Sequence, residues 1–328
     1  MSLCKLSLAY PDGPQLIEDA SGIALKGEMI AVVGRNGSGK STLLRTITGL
    51  QKPFHGKIEW HGKALEHYHL AELSRRVTFV GTSNLLLQNL TVFELVSMGR
   101  HPHTNWWGAL RAHDREKILE SIDFVGMSDF TEVKIDRLSD GERQRAVIAM
   151  ALAQQTEVII LDEPTAFLDI PNKIAIAEVL YRLKSAGHTI IYSTHDFDNV
   201  FSYADKLWVI HNKQLYQGSP EDLGMKNLFD KLFESSGIIF SQEMLGFYQK
   251  RKGEKKIYLN PGSDREVLFW TSRALERIGY EVLSSPEKDS DHVIVENTKG
   301  DLRWNLNTGN TTLHFSTLYD MCSHLTKD

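Results

Sequence analysis

Met29-Ile30-Ala31-Val32-Val33 runs directly into Gly34-Arg35-Asn36-Gly37-Ser38-Gly39-Lys40-Ser41-Thr42. An unbroken apolar run of this length, closed by glycine, predicts a buried strand, and the residues from Lys40 onward predict a helix. The spacing of Gly34, Gly39, Lys40 and Ser41 is that of a phosphate-binding loop. Glycines let such a loop turn its N–H groups inward around phosphate oxygens, and the helix start adds about half a positive charge. Lys40 then reaches the terminal phosphates and the Ser41 hydroxyl supplies an oxygen ligand for Mg²⁺. A chance glycine turn is the bland reading, and the position between strand and helix argues against it.

The same alternation continues along the chain. Val158–Leu161 reads as a strand, 173–183 as a helix and Thr189–Ser193 as another strand, which predicts a parallel α/β sheet with helices on its faces. Ligands of such sheets sit at the carboxyl ends of the strands. One of those ends carries Asp162-Glu163. An acid at a strand end is common in itself, but with a phosphate loop upstream Asp162 is expected to hold the hydrated magnesium. Glu163 is then placed to orient and deprotonate an attacking water. The segment Leu70–His113 breaks the pattern, being helical around Val92–Met98 and then rich in His, Trp and Gly. It predicts an inserted helical subdomain, taken as about residues 83–155. Further on, Ser139 and Glu142 have the spacing of a helix capping box in front of the run Ala146–Ala153.

Composition narrows the class. With 41% hydrophobic and 24% charged residues the chain reads as a soluble globular protein, and no apolar run approaches membrane-spanning length. The start, Leu3, Leu6 and Leu8 among polar residues, has no basic region or cleavage site of a signal peptide, so a cytoplasmic address is expected. Cys4 and Cys322 are expected to be buried small side chains in a reducing compartment. A net charge of −5 argues against a general nucleic-acid-binding surface. The pairs His67/His69 and His101/His103 lack the Cys or carboxylate neighbours that would complete a metal set, and are read as solvated.

Near Gln249–Lys256 the sequence turns polar and basic and reads as a linker. A small α+β domain, residues 253–328, is expected to follow. Its predicted elements are strands at Ile257–Leu259, Tyr280–Leu283 and His292–Glu296, a helix at Arg265–Ile278, and a hairpin with Leu302, Trp304 and Leu306 on one face. No chemical motif occurs in it.

Leu138-Ser139-Asp140-Gly141-Glu142-Arg143-Gln144-Arg145 resembles the signature segment of the ABC ATPase family. Leu168-Asp169 resembles that family's D-loop, His195 in Ser193-Thr194-His195-Asp196 its switch histidine, and Tyr10 the aromatic that stacks on adenine. The resemblance covers roughly residues 1–252. It implies a P-loop NTPase (ABC ATPase) α/β fold with a helical subdomain and a chain that hydrolyses ATP with Mg²⁺. By the same resemblance Gly34, Arg35, Asn36, Gly37, Ser38, Gly39, Lys40, Ser41 and Thr42 hold the phosphates. Ser41 and Asp162 hold the metal, and Glu163 and His195 are catalytic. Two copies would face head to tail, so that ATP on one Lys40 is covered by Ser139 and Gly141 of the other, and Asp169 is counted with the nucleotide-binding residues. Partners implied are transmembrane permease subunits and, indirectly, a substrate-binding protein, with the chain peripheral on the cytoplasmic face of the cell membrane and no nucleic acid bound.

Leu90–Val96, then Gly99-Arg100 and Pro102, is similar to the helical subdomain of importers for iron–siderophore complexes, haem and cobalamin. The alternative is a non-transport ABC ATPase acting on nucleic acid or the ribosome. A translation-type factor would carry two motif sets, and a repair-type ATPase a long heptad insertion, whereas 99 positions separate Lys40 from Ser139. Two positions depart from the family: Asp140 stands where a second signature glycine is usual, and Thr82 where a glutamine is usual, with Gln88 six residues on.

Overall fold

The computed structural model describes residues 1–9, 13–81, 89–104, 108–234, 238–241, 246–249, 253, 255–260, 264–283, 285–287, 291–298, 301–308 and 311–327. The expectations for Tyr10, Thr82 and Gln88 lie outside the described residues. The chain divides into two compact units, Met1–Leu232 with Gln242–Gly246, and Phe233–Ser241 with Phe247–Asp328.

In the first unit β1 (Ser2–Ala9) pairs antiparallel with β2 (Gln15–Ile23), and β3 (Met29–Gly34) leads into α1 (Lys40–Ile47). β4 (His55–Trp60) and β5 (Lys63–Ala64) complete a small sheet of order β2-β1-β4-β5. Leu3, Leu6 and Leu8 are all buried although the step from 3 to 6 breaks strand alternation. A register shift between Leu3 and Leu6 accounts for this: Lys5 takes φ 47°, and Gly56 opposite has φ 83° and no Cβ to strike the Lys5 carbonyl. Cys4 on this strand is only half-buried, contrary to expectation, while Cys322 is buried.

After α2 (Leu70–Leu73) come β6 (Val77–Val80), α3 (Val92–Met98), α4 (Ala112–Phe124) and α5 (Asp140–Ala153). The sequence then folds as β7 (Val158–Asp162), α6 (Ile170–Ser185), β8 (Thr189–Ser193), α7 (Phe197–Tyr203), β9 (Lys206–His211), β10 (Gln214–Gly218), α8 (Pro220–Met225) and α9 (Leu228–Phe233). The main sheet has the order β10-β9-β3-β8-β7-β6, parallel throughout except for β10. Strands β3, β7 and β8 are buried along nearly their whole length, as their continuous apolar runs require. Because β8 lies between β3 and β7 and all three run the same way, Gly34, Asp162 and Ser193 leave the sheet on one edge. β6 belongs to this sheet, although it lies within the Leu70–His113 segment that broke the strand–helix pattern. Val77 and Val80 are buried against β7. Helices α3, α4 and α5 pack on one another. Gly99 allows this closeness, since a Cβ there would lie 2.1 Å from the Met150 carbonyl oxygen of α5.

The second unit begins with the ribbon β11 (Ile238–Ser241) and β12 (Gly246–Gln249), where Phe247 packs on Phe233 and Phe240 with ring centroids 4.8 and 5.1 Å away. Then follow β13 (Lys255–Leu259), α10 (Arg265–Arg277), β14 (Tyr280–Leu283), β15 (Asp291–Thr298), β16 (Asp301–Thr308), β17 (Thr311–Phe315) and α11 (Leu318–Leu325). The sheet order is β14-β13-β15-β16-β17, with β13 parallel to both neighbours. Ile257, Val293 and Leu306 share one face and are fully buried with Leu275 of α10 and Met321 of α11. Trp304 joins them, its indole N–H donating to Thr271 Oγ1 at 2.9 Å. Among the described residues no helix is long and apolar enough to cross a membrane.

Candidate nucleotide site

The loop after β3 is held in its turn by glycine. Gly37 and Gly39 adopt φ 77° and 104°, and a Cβ on Gly34 would meet Ser38 Oγ at 2.7 Å and the Ile210 carbonyl at 2.8 Å. Gly39 caps α1 without a side chain, and the first turn of that helix carries no acid. The N–H groups at this helix start therefore face the loop with a positive end dipole and, among the described residues, no side-chain cap. Ser38 Oγ is buried there with no hydrogen-bond partner among the described residues. Such an arrangement binds an anion of phosphate size.

Lys40, although only 6% exposed, is the first residue of α1 and points back across this loop. Its ammonium donates to the Gly34 carbonyl at 3.1 Å and lies 3.0 Å from His195 Nε2. The same imidazole nitrogen is 3.1 Å from Glu163 Oε1. Residues 155 positions apart are thus brought to one point by the parallel strand order. Burial pushes the Lys40 ammonium below its usual range, and the Glu163 and Asp162 carboxylates pull it back. Burial and the Lys40 charge likewise push His195 down, with Glu163 opposing. At Nε2 the ring therefore meets both groups, accepting from the Lys40 ammonium in one tautomer and donating to the Glu163 carboxylate in the other.

Asp162 ends β7 and is 3% exposed. Its Oδ1 accepts from Ser193 Oγ at 2.6 Å, while Oδ2 has no partner among the described residues. A buried carboxylate oxygen without a donor is costly unless a cation completes it. Ser193 is set directly opposite Asp162 by the β7–β8 register, and its Oγ also accepts from the Glu163 N–H at 2.8 Å. Glu163 itself adopts φ 51°, the left-handed region that costs a side-chain-bearing residue about 1–2 kcal/mol. The Ser193 bond holds that turn, which carries the Glu163 carboxylate toward His195. Ser193 was not picked out by sequence reasoning, because its role depends on register, and register cannot be read from one strand.

Ser139, Gly141 and Asp169 form a separate cluster. Ser139 caps α5: its N–H and hydroxyl both donate to Glu142 Oε2, at 2.8 and 2.7 Å, and these bonds hold the Glu142 carboxyl below its usual range. Asp169 caps α6, accepting from the Asn172 N–H at 3.1 Å and from Asn172 Nδ2 at 2.7 Å. A Cβ on Gly141 would fall 2.1 Å from Asn172 Oδ1, so glycine is what lets the two helix starts meet. Among the described residues no hydrogen bond or ion pair links this cluster to Lys40, Glu163 or His195. Phe167 and Ile170 beside it are 100% and 73% exposed, and Phe167 has φ 64°. As for the histidines, His61 pairs with Glu157 at 2.9 Å and His103 Nε2 lies 2.8 Å from the Gln154 carbonyl.

Residues 17–166 match the family model described as ABC transporter, and residues 254–326 the one described as iron ABC transporter C-terminal domain. The petrobactin import ATP-binding protein FpuD of Bacillus anthracis is 35% identical over 245 residues, which are 74% of this chain and 89% of that protein. The ferric enterobactin transport ATP-binding protein FepC of Escherichia coli K12 is 35% identical over 222 residues, 67% of this chain and 82% of that protein. Among solved structures, the ADP conformation of MJ1267, an ATP-binding cassette of an ABC transporter, is 26% identical with a TM-score of 0.64, covering 71% of this chain and 96% of that one. The dimeric post-hydrolysis state of the cassette MJ0796 bound to ADP and Pi is 26% identical with a TM-score of 0.57, covering 66% and 97%.

Proposed function

Because the chain belongs to the ABC transporter family of ATP-binding subunits, and is an ATPase, we propose that it drives import of a chelated iron complex through a separate membrane permease. The observation that carries the chemistry is the convergence of Lys40, Glu163 and His195 at the carboxyl edge of the sheet, beside the uncapped start of α1. The cargo reading rests on residues 254–326 and on relatives named for petrobactin and ferric enterobactin.

In this reading Lys40 and the loop N–H groups bind the ATP phosphates, and Glu163 accepts the proton of the attacking water. His195 holds the Glu163 carboxylate through Nε2 once Lys40 has turned to the phosphates. Ser41 and Asp162 would hold Mg²⁺, whose charge would neutralise the terminal phosphate oxygens; hard oxygen donors and the unpartnered Asp162 Oδ2 fit that ion. Ser139, Gly141 and Asp169, standing apart from Lys40 in their own chain, would complete the site of a second copy in a head-to-tail dimer. ATP that bridges two copies favours the closed pair by its differential affinity alone. The chain would act on the cytoplasmic face of the membrane.

Glu163→Gln is expected to bind ATP normally, to hydrolyse it roughly 10²–10⁴-fold more slowly, and to run as a dimer in size exclusion with ATP. Wild-type turnover in this variant removes Glu163 from the role. Uptake of radiolabelled ferric siderophore into vesicles holding the chain and its permease tests the cargo. Copurification with ribosomes or nucleic acid in place of a permease would favour the non-transport alternative.

A further inference from the structure

Arg100 is 2% exposed and does nothing in the chemistry described above. It follows α3, and four of its five guanidinium N–H groups are engaged. Nε and Nη2 donate to Asp114 Oδ1 at 3.0 and 2.9 Å, and Nη1 donates to the Ala153 carbonyl at 2.8 Å and to Gln155 Oε1 at 2.7 Å. Asp114 lies in the first turn of α4, Ala153 ends α5, and Gln155, with φ 56°, sits in the turn from α5 into β7. The neighbouring Gln154 is held as well. Its carbonyl lies 2.8 Å from His103 Nε2, and its Nε2 donates to the Ser74 carbonyl at 2.6 Å, just before β6. One buried cation therefore ties together α3, α4, the end of α5 and the turn into β7, the strand that leads to Asp162 and Glu163.

From this junction we infer that Arg100 is a positioning residue: it fixes the angle of α5 against the main sheet, and so the place of Ser139 and Gly141 over the nucleotide of a second copy. The inference rests on the head-to-tail dimer proposed above. Ser139 caps the opposite end of α5 from the clamp. A helix of 14 residues is roughly 20 Å long, so a tilt of about 5° at Ala153 carries Ser139 about 2 Å. Displacements of about 1 Å at reacting groups can lower rates about 10²-fold. Lysine keeps the charge but not the planar fork that serves Asp114, Ala153 and Gln155 together. Gly99, which brings the α3 and α5 backbones into contact, removes the slack that would let another residue compensate.

Arg100→Lys and Asp114→Asn are the variants to make: the first keeps the buried charge pair without the planar fork, and the second keeps a hydrogen-bond acceptor at 114 but takes away the carboxylate charge opposite Arg100. Both are compared with the parent chain for affinity toward a fluorescent ATP analogue at low protein concentration, and for turnover against protein concentration. The expected result is analogue affinity within about twofold of the parent, with turnover per subunit down about 10- to 100-fold. ATP-driven dimerisation in the Glu163→Gln background should need correspondingly more protein. A purely structural role would lower the melting temperature while leaving turnover of the folded fraction unchanged, and that result overturns the inference. Loss of analogue affinity in parallel with turnover also overturns it, because the junction would then act on the loop around Lys40. Absence of an ATP dimer in Glu163→Gln with Arg100 intact sinks the dimer reading, and the clamp with it. A normal dimer there beside unaffected Arg100→Lys and Asp114→Asn sinks the clamp alone.

Discussion

Removing the Ser193 hydroxyl takes away two bonds at once, the donor to Asp162 Oδ1 and the acceptor for the Glu163 N–H. Ser193→Ala leaves a buried carboxylate with one bond fewer and is expected to destabilise the chain by about 1–3 kcal/mol in urea. ATP turnover should also fall, because Glu163 loses the contact that holds its left-handed turn. Unchanged stability and turnover would show that the strand end alone places both acids. His195 makes a second test possible without catalysis. Its lowered pKa means that the folded chain favours the neutral ring, so its contribution to stability is present above the ordinary histidine value of about 6.5 and is lost as pH falls below it. Titration by NMR without nucleotide should place His195 below the ordinary value. Lys40→Ala should raise it by removing a repelling charge, and Glu163→Gln should lower it further by removing the attracting one. A His195 that titrates alike in all three proteins would mean the three groups do not share one site in solution.

The contact between the starts of α5 and α6 depends on an absent side chain. Gly141→Ala forces Asn172 away and breaks its bond to Asp169, and is expected to destabilise the chain by about 1–3 kcal/mol, the usual range for overpacking. In an Asn172→Ala background the obstacle is gone, and the same substitution should have little effect. Equal effects in the two backgrounds, measured by denaturant unfolding as a double-mutant cycle, would remove Asn172 as the reason for glycine. This pairing also marks how far the sequence could be read. Strands β3, β7 and β8 were legible because a buried parallel strand writes itself as a continuous apolar run, and the cap of α5 because Ser139 and Glu142 bond within one turn. What could not be read was whatever depends on another element: the β1 bulge needs Gly56 across the sheet, Ser193 needs the β7–β8 register, and Gly141 needs Asn172. Four-residue β6 escapes sequence reading because Val-Thr-Phe-Val is too short to show its period. Arg100 was visible as part of a pattern, but its partners at 114, 153 and 155 are spread over three elements.

Each of the two compact units has a core of its own, and every residue assigned to nucleotide chemistry lies in the first. In α9, Leu228, Phe229 and Leu232 are buried in the first unit, with Phe229 edge-on to Phe197 and Phe201 at 5.9 and 5.3 Å. Phe233, Phe240 and Phe247 instead pack on one another in the second. Two truncations therefore differ in what they expose. A chain ending at 234 keeps the α9 core and gives up the ribbon β11–β12 whole. A chain ending at 252, where the basic linker was expected, keeps the ribbon and its aromatic rings while removing the five-stranded sheet of their own unit. Both should bind ATP with affinity within about twofold of the full chain, since neither cut touches β3, α1, β7 or β8. The longer one is expected to aggregate more readily, as a two-stranded ribbon is marginal by itself and contiguous exposed aromatic surface promotes association. Light scattering on heating, beside calorimetry with ATP, decides this. Loss of ATP binding in both would show that the first unit does not stand without the second, and a 1–252 chain as well behaved as 1–234 would place the ribbon with the first unit in folding.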